Sequence, residues 1–197
     1  MKIGLVVFAV MAIVMVAGMA AEEPAGTIEL RPQIGWQYTT HSGDDVSPRW
    51  AFVGGIEAEY YLKPQWGVTG GVFYSAQGAR DESFLLCTNY ITVPLMVNFH
   101  FGPGFAIHTG IQPSFRVKSY SNDFYGRSVN CNPYTNLFDI AFPMGLSYEY
   151  RFLYADLRYR QGIIKVFNSS AETIAGSHSS NRNMAISLTI GYRFKIK

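Results

Sequence analysis

From about residue 28 to the C-terminus, apolar and polar residues alternate almost one for one. A helix would spread both kinds around its circumference, whereas a strand sends them to opposite faces. Ile28, Leu30, Ile34, Trp36 and Tyr38 alternate with Glu29, Arg31, Gln33, Gly35 and Gln37. Trp50, Phe52, Ile56, Ala58, Tyr60 and Leu62 oppose Glu57 and Glu59, and Trp66, Val68, Val72 and Tyr74 oppose Thr69, Ser75 and Gln77. Ile91, Val93, Leu95, Val97, Phe99 and Phe101 face away from Thr92, Asn98 and His100. Next, Phe105, Ile107, Ile111, Phe115 and Val117 face away from His108, Gln112, Ser114, Arg116 and Lys118. Three more segments, beginning at Phe138, Leu153 and Met184, repeat the pattern, which makes eight strands and no amphipathic helix.

The links between segments are regular too. Short turns are expected at Lys63-Pro64-Gln65, at Gly102-Pro103-Gly104 and near Arg151. Long polar connections are expected at 41–49, 78–88, 119–135 and 167–182. Short and long links alternate strictly, so the long ones share one end and both termini share the other. An even number of strands so joined is the pattern of a bacterial outer-membrane barrel. No linker, low-complexity tract or second domain interrupts it.

Alternation does not say which face points outward. A soluble eight-stranded barrel of the lipocalin type would bury the apolar face. Three features favour the inverse. The polar faces are poor in Lys and Glu and rich in Gly, Ser, Thr and Gln, which suits a crowded interior. Trp36, Trp50 and Trp66 all lie on apolar faces. Aromatic residues gather near the strand ends, with Tyr38, Trp50 and Tyr74 at one rim and Tyr60, Trp66, Phe101, Tyr150 and Tyr192 at the other. Only 15% of the 197 residues are charged, against about a quarter in an ordinary soluble domain. The formal charge of +2 provides no basic field for nucleic acid.

Residues 1–20 read as a signal peptide, with Lys2 before an apolar run from Ile3 to Val16 and small residues at Gly18 and Ala20. Read instead as a retained anchor, the run is short for a span of ~20 residues. No cysteine lies near the expected cleavage site, so a lipid-modified N-terminus is not expected. Residues 21–197 form the exported barrel domain in this reading.

Several short motifs resemble the small outer-membrane β-barrel, or porin-family, proteins common in the Bacteroidetes group. Tyr74-Ser75-Ala76-Gln77-Gly78 ends the third strand, and Tyr90-Ile91-Thr92-Val93-Pro94-Leu95 opens the fourth. Asp156-Leu157-Arg158-Tyr159 with Gly162, and the terminal Gly191-Tyr192-Arg193-Phe194, follow in order. Lys195-Ile196-Lys197 departs from barrels that end on the aromatic residue. The resemblance implies an all-β, eight-stranded, antiparallel, up-and-down transmembrane barrel in a Gram-negative cell envelope. It also implies contact with outer-membrane lipid and lipopolysaccharide, and with the barrel-assembly machinery during biogenesis.

A family name that includes "porin" promises a pore, yet eight strands leave an interior that side chains fill. The inward set carries Glu29, Glu57, Glu59, Asp139, Glu149 and Asp156 against Arg31, Arg116, Lys118, Arg158, Arg160, Arg193 and Lys195. Near-equal numbers of opposite charges in a low-dielectric lumen should pair, because an unpaired buried charge is costly. The expectation is a plugged lumen held by ion pairs; the alternative is a narrow porin-like channel for ions or small solutes lined by the same groups.

Cys87 and Cys131 both fall in expected long connections on adjacent hairpins. An exported compartment permits a disulfide between them; the other reading is two free thiols. No cofactor is implied, and neither the cysteine pair nor the inward His100 and His108 makes a metal motif. His178, Ser180 and Asn181 are similar to the His-x-Ser-Asn run of outer-membrane lipid A deacylases, but no acid follows Glu172 to orient the histidine. The sequence is therefore read as non-enzymatic, structural or surface-binding. The stretch 119–135, with Phe124, Tyr125 and Tyr134, is the candidate contact for a surface ligand, and an undedicated loop is its competitor.

Overall fold

The computed structural model describes residues 23–41, 48–80, 84–123, 128–130, 136–165 and 182–196. The strands are β1 (Ile28–His41), β2 (Arg49–Lys63), β3 (Trp66–Arg80), β4 (Phe84–Thr92), β5 (Leu95–Phe101) and β6 (Phe105–Asp123). β7 (Ser128–Asn130), β8 (Phe138–Tyr150), β9 (Leu153–Lys165), β10 (Arg182–Tyr192) and β11 (Phe194–Lys195) follow. Every pairing is between antiparallel neighbours, and β10 returns to β1 from Gln33↔Gly191 to His41↔Asn183, so the sheet closes. β4 with β5, and β10 with β11, each make one stave, giving eight staves in all. Pro94, which has no N–H to donate, marks the break between β4 and β5.

Closure removes the free edges that an open sheet must protect. It also settles which face is outside. Trp36 is 63% exposed and Trp50 70%, whereas Glu29, Glu59 and Gln37 are fully buried. The inverted arrangement holds: the apolar faces form the outer surface and the polar faces line the interior. Such a surface suits hydrocarbon, because closed barrels satisfy every backbone group internally.

The three short turns fall at 64–65, 102–104 and 151–152 as the sequence indicates. Gly102 (φ 56°) and Gly104 (φ 84°) supply left-handed backbone there, and Arg151 adopts φ 56°. Outward rings meet in stacked and tilted contacts around this end, from Trp66 through Phe99, Phe101 and Phe105 to Tyr148, and again from Phe152 through Tyr192 to Phe194. At the opposite rim the Tyr38 ring lies tilted against Trp50, with centroids 5.2 Å apart. These are the two aromatic girdles of a membrane barrel.

In two expected long connections the described residues are strand. β3 runs to Arg80 and β4 begins at Phe84, still paired at Gly78↔Cys87 and Arg80↔Leu85. β6 continues to Asp123 and takes β7 as a three-residue partner at Tyr120↔Asn130. Ser-, Asn- and Gly-rich residues read as loop, yet main-chain hydrogen bonds carry a hairpin beyond the barrel whatever the side chains are. Most of the expected connections at 41–49 and 167–182, and the whole of residues 1–20, lie outside the described residues.

Two of the ladder's irregularities bear on the site. Asn89 pairs with Lys118 and Tyr90 with Arg116, so Val117 is an extra residue and β6 bulges there. In addition, β2 pairs with β3 only from Val53↔Ser75 towards the short turn. Above that level β2 pairs with β1 alone and β3 with β4 alone, which leaves a seam in the wall.

Candidate functional site

The lumen is the candidate site, because the barrel sends charged residues from every part of the chain into it. At the short-turn end Arg31 of β1 is the hub. Its Nη2 donates to Glu29 Oε2 at 2.9 Å, Glu149 Oε1 at 2.6 Å and the Tyr61 hydroxyl at 3.0 Å, while Nη1 meets Glu59. The guanidinium also lies 4.8 Å from the centre of the Tyr154 ring. Arg193 Nη1 adds bonds to Glu149 Oε2 at 2.8 Å, Glu29 Oε1 at 3.1 Å and Glu23 Oε1 at 3.4 Å. Lys195, half exposed at the mouth, pairs with Glu23. His100 Nε2 lies 2.7 Å from Glu59 Oε1.

A second cluster fills the middle. Arg158 Nη2 donates to Glu57 Oε1 at 2.8 Å and to Asp156 Oδ2 at 2.6 Å. Gln33 Nε2 donates to the other Glu57 oxygen at 2.7 Å, and Gln33 Oε1 accepts from Thr189 Oγ1 at 2.6 Å. His108 Nε2 stands 3.3 Å from Asp156 Oδ1. Towards the other end polar contacts replace ion pairs. Arg160 is held by Gln37 Oε1 and by Ser75 Oγ at 3.3 Å, and Asn183 Nδ2 donates to Asp139 Oδ2 at 2.9 Å. Arg116 lies near the buried Tyr90 hydroxyl.

Small residues make room for this filling. A Cβ on Gly67 would sit 1.9 Å from Glu59 Oε1, and one on Gly145 would sit 2.3 Å from His108 Nε2. Inward glycines thus lie opposite the bulkiest polar side chains. Two small cavities, one lined by Gln112, Asp156 and Arg158 and the other by Asp139, Arg160 and Asn183, are each about 10 Å³, room for about one water molecule.

Of the thirteen charged residues that alternation assigns to the interior, Glu29, Arg31, Glu59, Glu149, Arg193 and Lys195 meet at the mouth. Glu57, Asp156 and Arg158 meet in the middle, and Asp139, Arg160 and Arg116 lie beyond. Lys118 is the correction. It is exposed, with its Nζ 5.3 Å over the Tyr120 ring, because the bulge at Val117 reverses the facing of every later residue on β6. Sequence reasoning placed Gln33 and Gln37 on the polar face without naming their bonds, and it missed Tyr61, Tyr90 and Tyr154, which are buried inside. Their inward parity was a signal, but ring chemistry suggests the lipid face.

Among the described residues no group of three or more His, Cys, Asp or Glu could hold a metal. Cys87 is a buried thiol whose Sγ lies 2.7 Å from Arg49 Nη1. Cys131, Phe124, Tyr125, Tyr134, His178, Ser180 and Asn181 lie outside the described residues. Within the candidate ligand stretch, 119–123 and 128–130 are strand.

Residues 22–168 match the family model described as outer membrane protein beta-barrel domain. No curated protein matches significantly. Among solved structures, the attachment invasion locus protein Ail of Yersinia pestis superposes with TM-score 0.53 at 17% identity, covering 86% of this chain and 99% of that one. Ail in complex with the heparin analogue sucrose octasulfate gives TM-score 0.54 at 16% identity, covering 85% and 99%. Neisserial surface protein A gives TM-score 0.52 at 12% identity, covering 85% and 97%. Identities this low show a shared fold.

Proposed function

This chain belongs to the outer-membrane protein β-barrel domain family, and from that premise we propose a non-enzymatic outer-membrane barrel with a plugged lumen that serves a structural or surface-binding role. The observation that carries the proposal is the filling itself. Arg31 links β1 to β2 and β8, Arg158 links β9 to β2, and the cavities beside them hold about one water each. Filling this close, with the Arg31 and Arg158 clusters spanning the lumen, supports a lumen closed to hydrated ions.

Export by a cleaved segment at 1–20 is part of this reading, as is contact with lipopolysaccharide and with the assembly machinery. A surface-binding role at the long-connection end draws support from the same fold in Ail, whose structure holds a heparin analogue. A Cys87–Cys131 bridge would tie two hairpins at that end.

Planar-bilayer recording of the refolded protein tests the proposal. The expected result is no stable large conductance. Steady openings would overturn the plug and favour the narrow channel. Lipid A mass profiles from a deletion strain that differ from the parent's would overturn the non-enzymatic role.

A further inference from the structure

We propose that the outward flank of β4 and β6, at the long-connection end, binds the phosphate of an outer-leaflet lipid of the lipopolysaccharide class, with Arg49 and Lys118 as its cations. The proposal rests on the placement in the outer membrane and not on the plugged lumen.

The lumen-facing pair at this level is Thr88 with Ser119, whose hydroxyl oxygens lie 3.2 Å apart. Their strand neighbours Cys87, Lys118 and Tyr120 therefore face the other way. Lys118 is exposed and sits over the Tyr120 ring. Arg49 starts from the inner face of β2, as the cross-strand partner of buried Thr39, and leaves that face by way of the seam. β2 has parted from β3 there, and the side chain reaches across β3 to the Cys87 sulfur at 2.7 Å, where Gly78 is the cross-strand partner of Cys87. Tyr120 is the cross-strand partner of Cys87, and Arg49 and Tyr74 lie within electrostatic range of its hydroxyl. Two cations thus converge on one tyrosine.

Among the described residues neither cation has a carboxylate within ion-pair distance, in contrast to Arg31 and Arg158 in the lumen. The sulfur occupies one donor of Arg49, and a guanidinium carries five. The same flank lower down is apolar, with Val117, Phe115 and Tyr74 exposed. A cation facing lipid is heavily penalised at the midplane and little at the interface, so a pair at this height lies level with headgroups. Arg supplies a fork and Lys a point charge, the two usual partners of phosphate.

Native mass spectrometry of the full mature protein in detergent tests the site. It is titrated with bisphosphorylated lipid A, with the same lipid dephosphorylated, and with inorganic phosphate. The phosphorylated lipid is expected to bind about tenfold more tightly than the dephosphorylated one. Lys118→Gln and Arg49→Gln should each erode that preference several-fold, while Lys63→Gln at the opposite rim should keep it. Heat-modifiable gel mobility reports whether each variant folds, and Lys118→Gln alone suffices if Arg49→Gln does not. Equal binding of the two lipids would overturn the proposal, as would a preference that survives Lys118→Gln. Displacement of the lipid by an equal concentration of inorganic phosphate would overturn the assignment to a lipid. Bilayer conductance bears only on the plug, so the two readings fail separately.

Discussion

Replacing Arg31 by Met removes the hub of the mouth cluster while keeping much of its volume. Glu29, Glu59 and Glu149 each lose a charged donor, and Tyr61 loses a partner. Arg193 and Lys195 would then face the carboxylates of Glu23, Glu29, Glu59 and Glu149, with His100 beside Glu59. Removing one partner of a buried pair costs about 3–5 kcal/mol, so about 4 kcal/mol is expected for Arg31→Met. With a urea slope of about 2 kcal/mol per M, the unfolding midpoint falls by about 2 M. The assay is reversible urea unfolding in lipid vesicles, followed by tryptophan fluorescence and by heat-modifiable gel mobility. Adding Glu59→Gln and Glu149→Gln to Arg31→Met should restore part of the loss, because neutral partners no longer need a cation. A single variant within about 1 kcal/mol of the parent would refute the reasoning, since the cluster would then behave as a solvated surface network.

Leu188, outward-facing between Trp36 and Leu157, tests which medium the outer face meets: Leu188→Arg should cost about 2–4 kcal/mol in vesicles, and no loss would place that face outside hydrocarbon. Gly104→Ala should cost about 1–3 kcal/mol in the same unfolding assay, because φ is 84° and the new Cβ would lie 2.1 Å from the Glu149 carbonyl oxygen. Mass spectrometry of the trypsin-cut, unreduced protein should yield a peptide linking Cys87 to Cys131, and two alkylated thiols would overturn that bridge. Boiling should slow the gel migration of the wild-type protein, and unchanged mobility would contradict a stable membrane barrel.

The architecture was legible because a closed barrel translates alternation directly into inside and outside. Trp36 against Gln37 and Leu188 against Ser187 specify the same wall from both sides. What escaped depends on local departures from that rule. Nothing in Phe115-Arg116-Val117-Lys118-Ser119 announces a bulge, since a valine fits either face, and the facing of Lys118 turns on that one residue. The buried tyrosines escaped for a different reason: Tyr61 and Tyr154 stand next to outward Tyr60 and Leu153, and two apolar neighbours in a row blur the parity that would place one of them inside. The strand extensions to Arg80 and Asp123 rest on backbone bonds, which leave no side-chain signature.

The seam between β2 and β3 bears on how this barrel could be altered. Where the main-chain ladder stops, Gln37 Nε2 donates to Phe52 O on one side at 3.3 Å and to Ala76 O on the other, and Thr39 Oγ1 donates to Gly78 O at 2.8 Å. Side chains inside the barrel are therefore the stitching of its wall. Trimming them to bore a conduit would unpick the masonry rather than clear a pipe. In this molecule the filling and the container are one fabric.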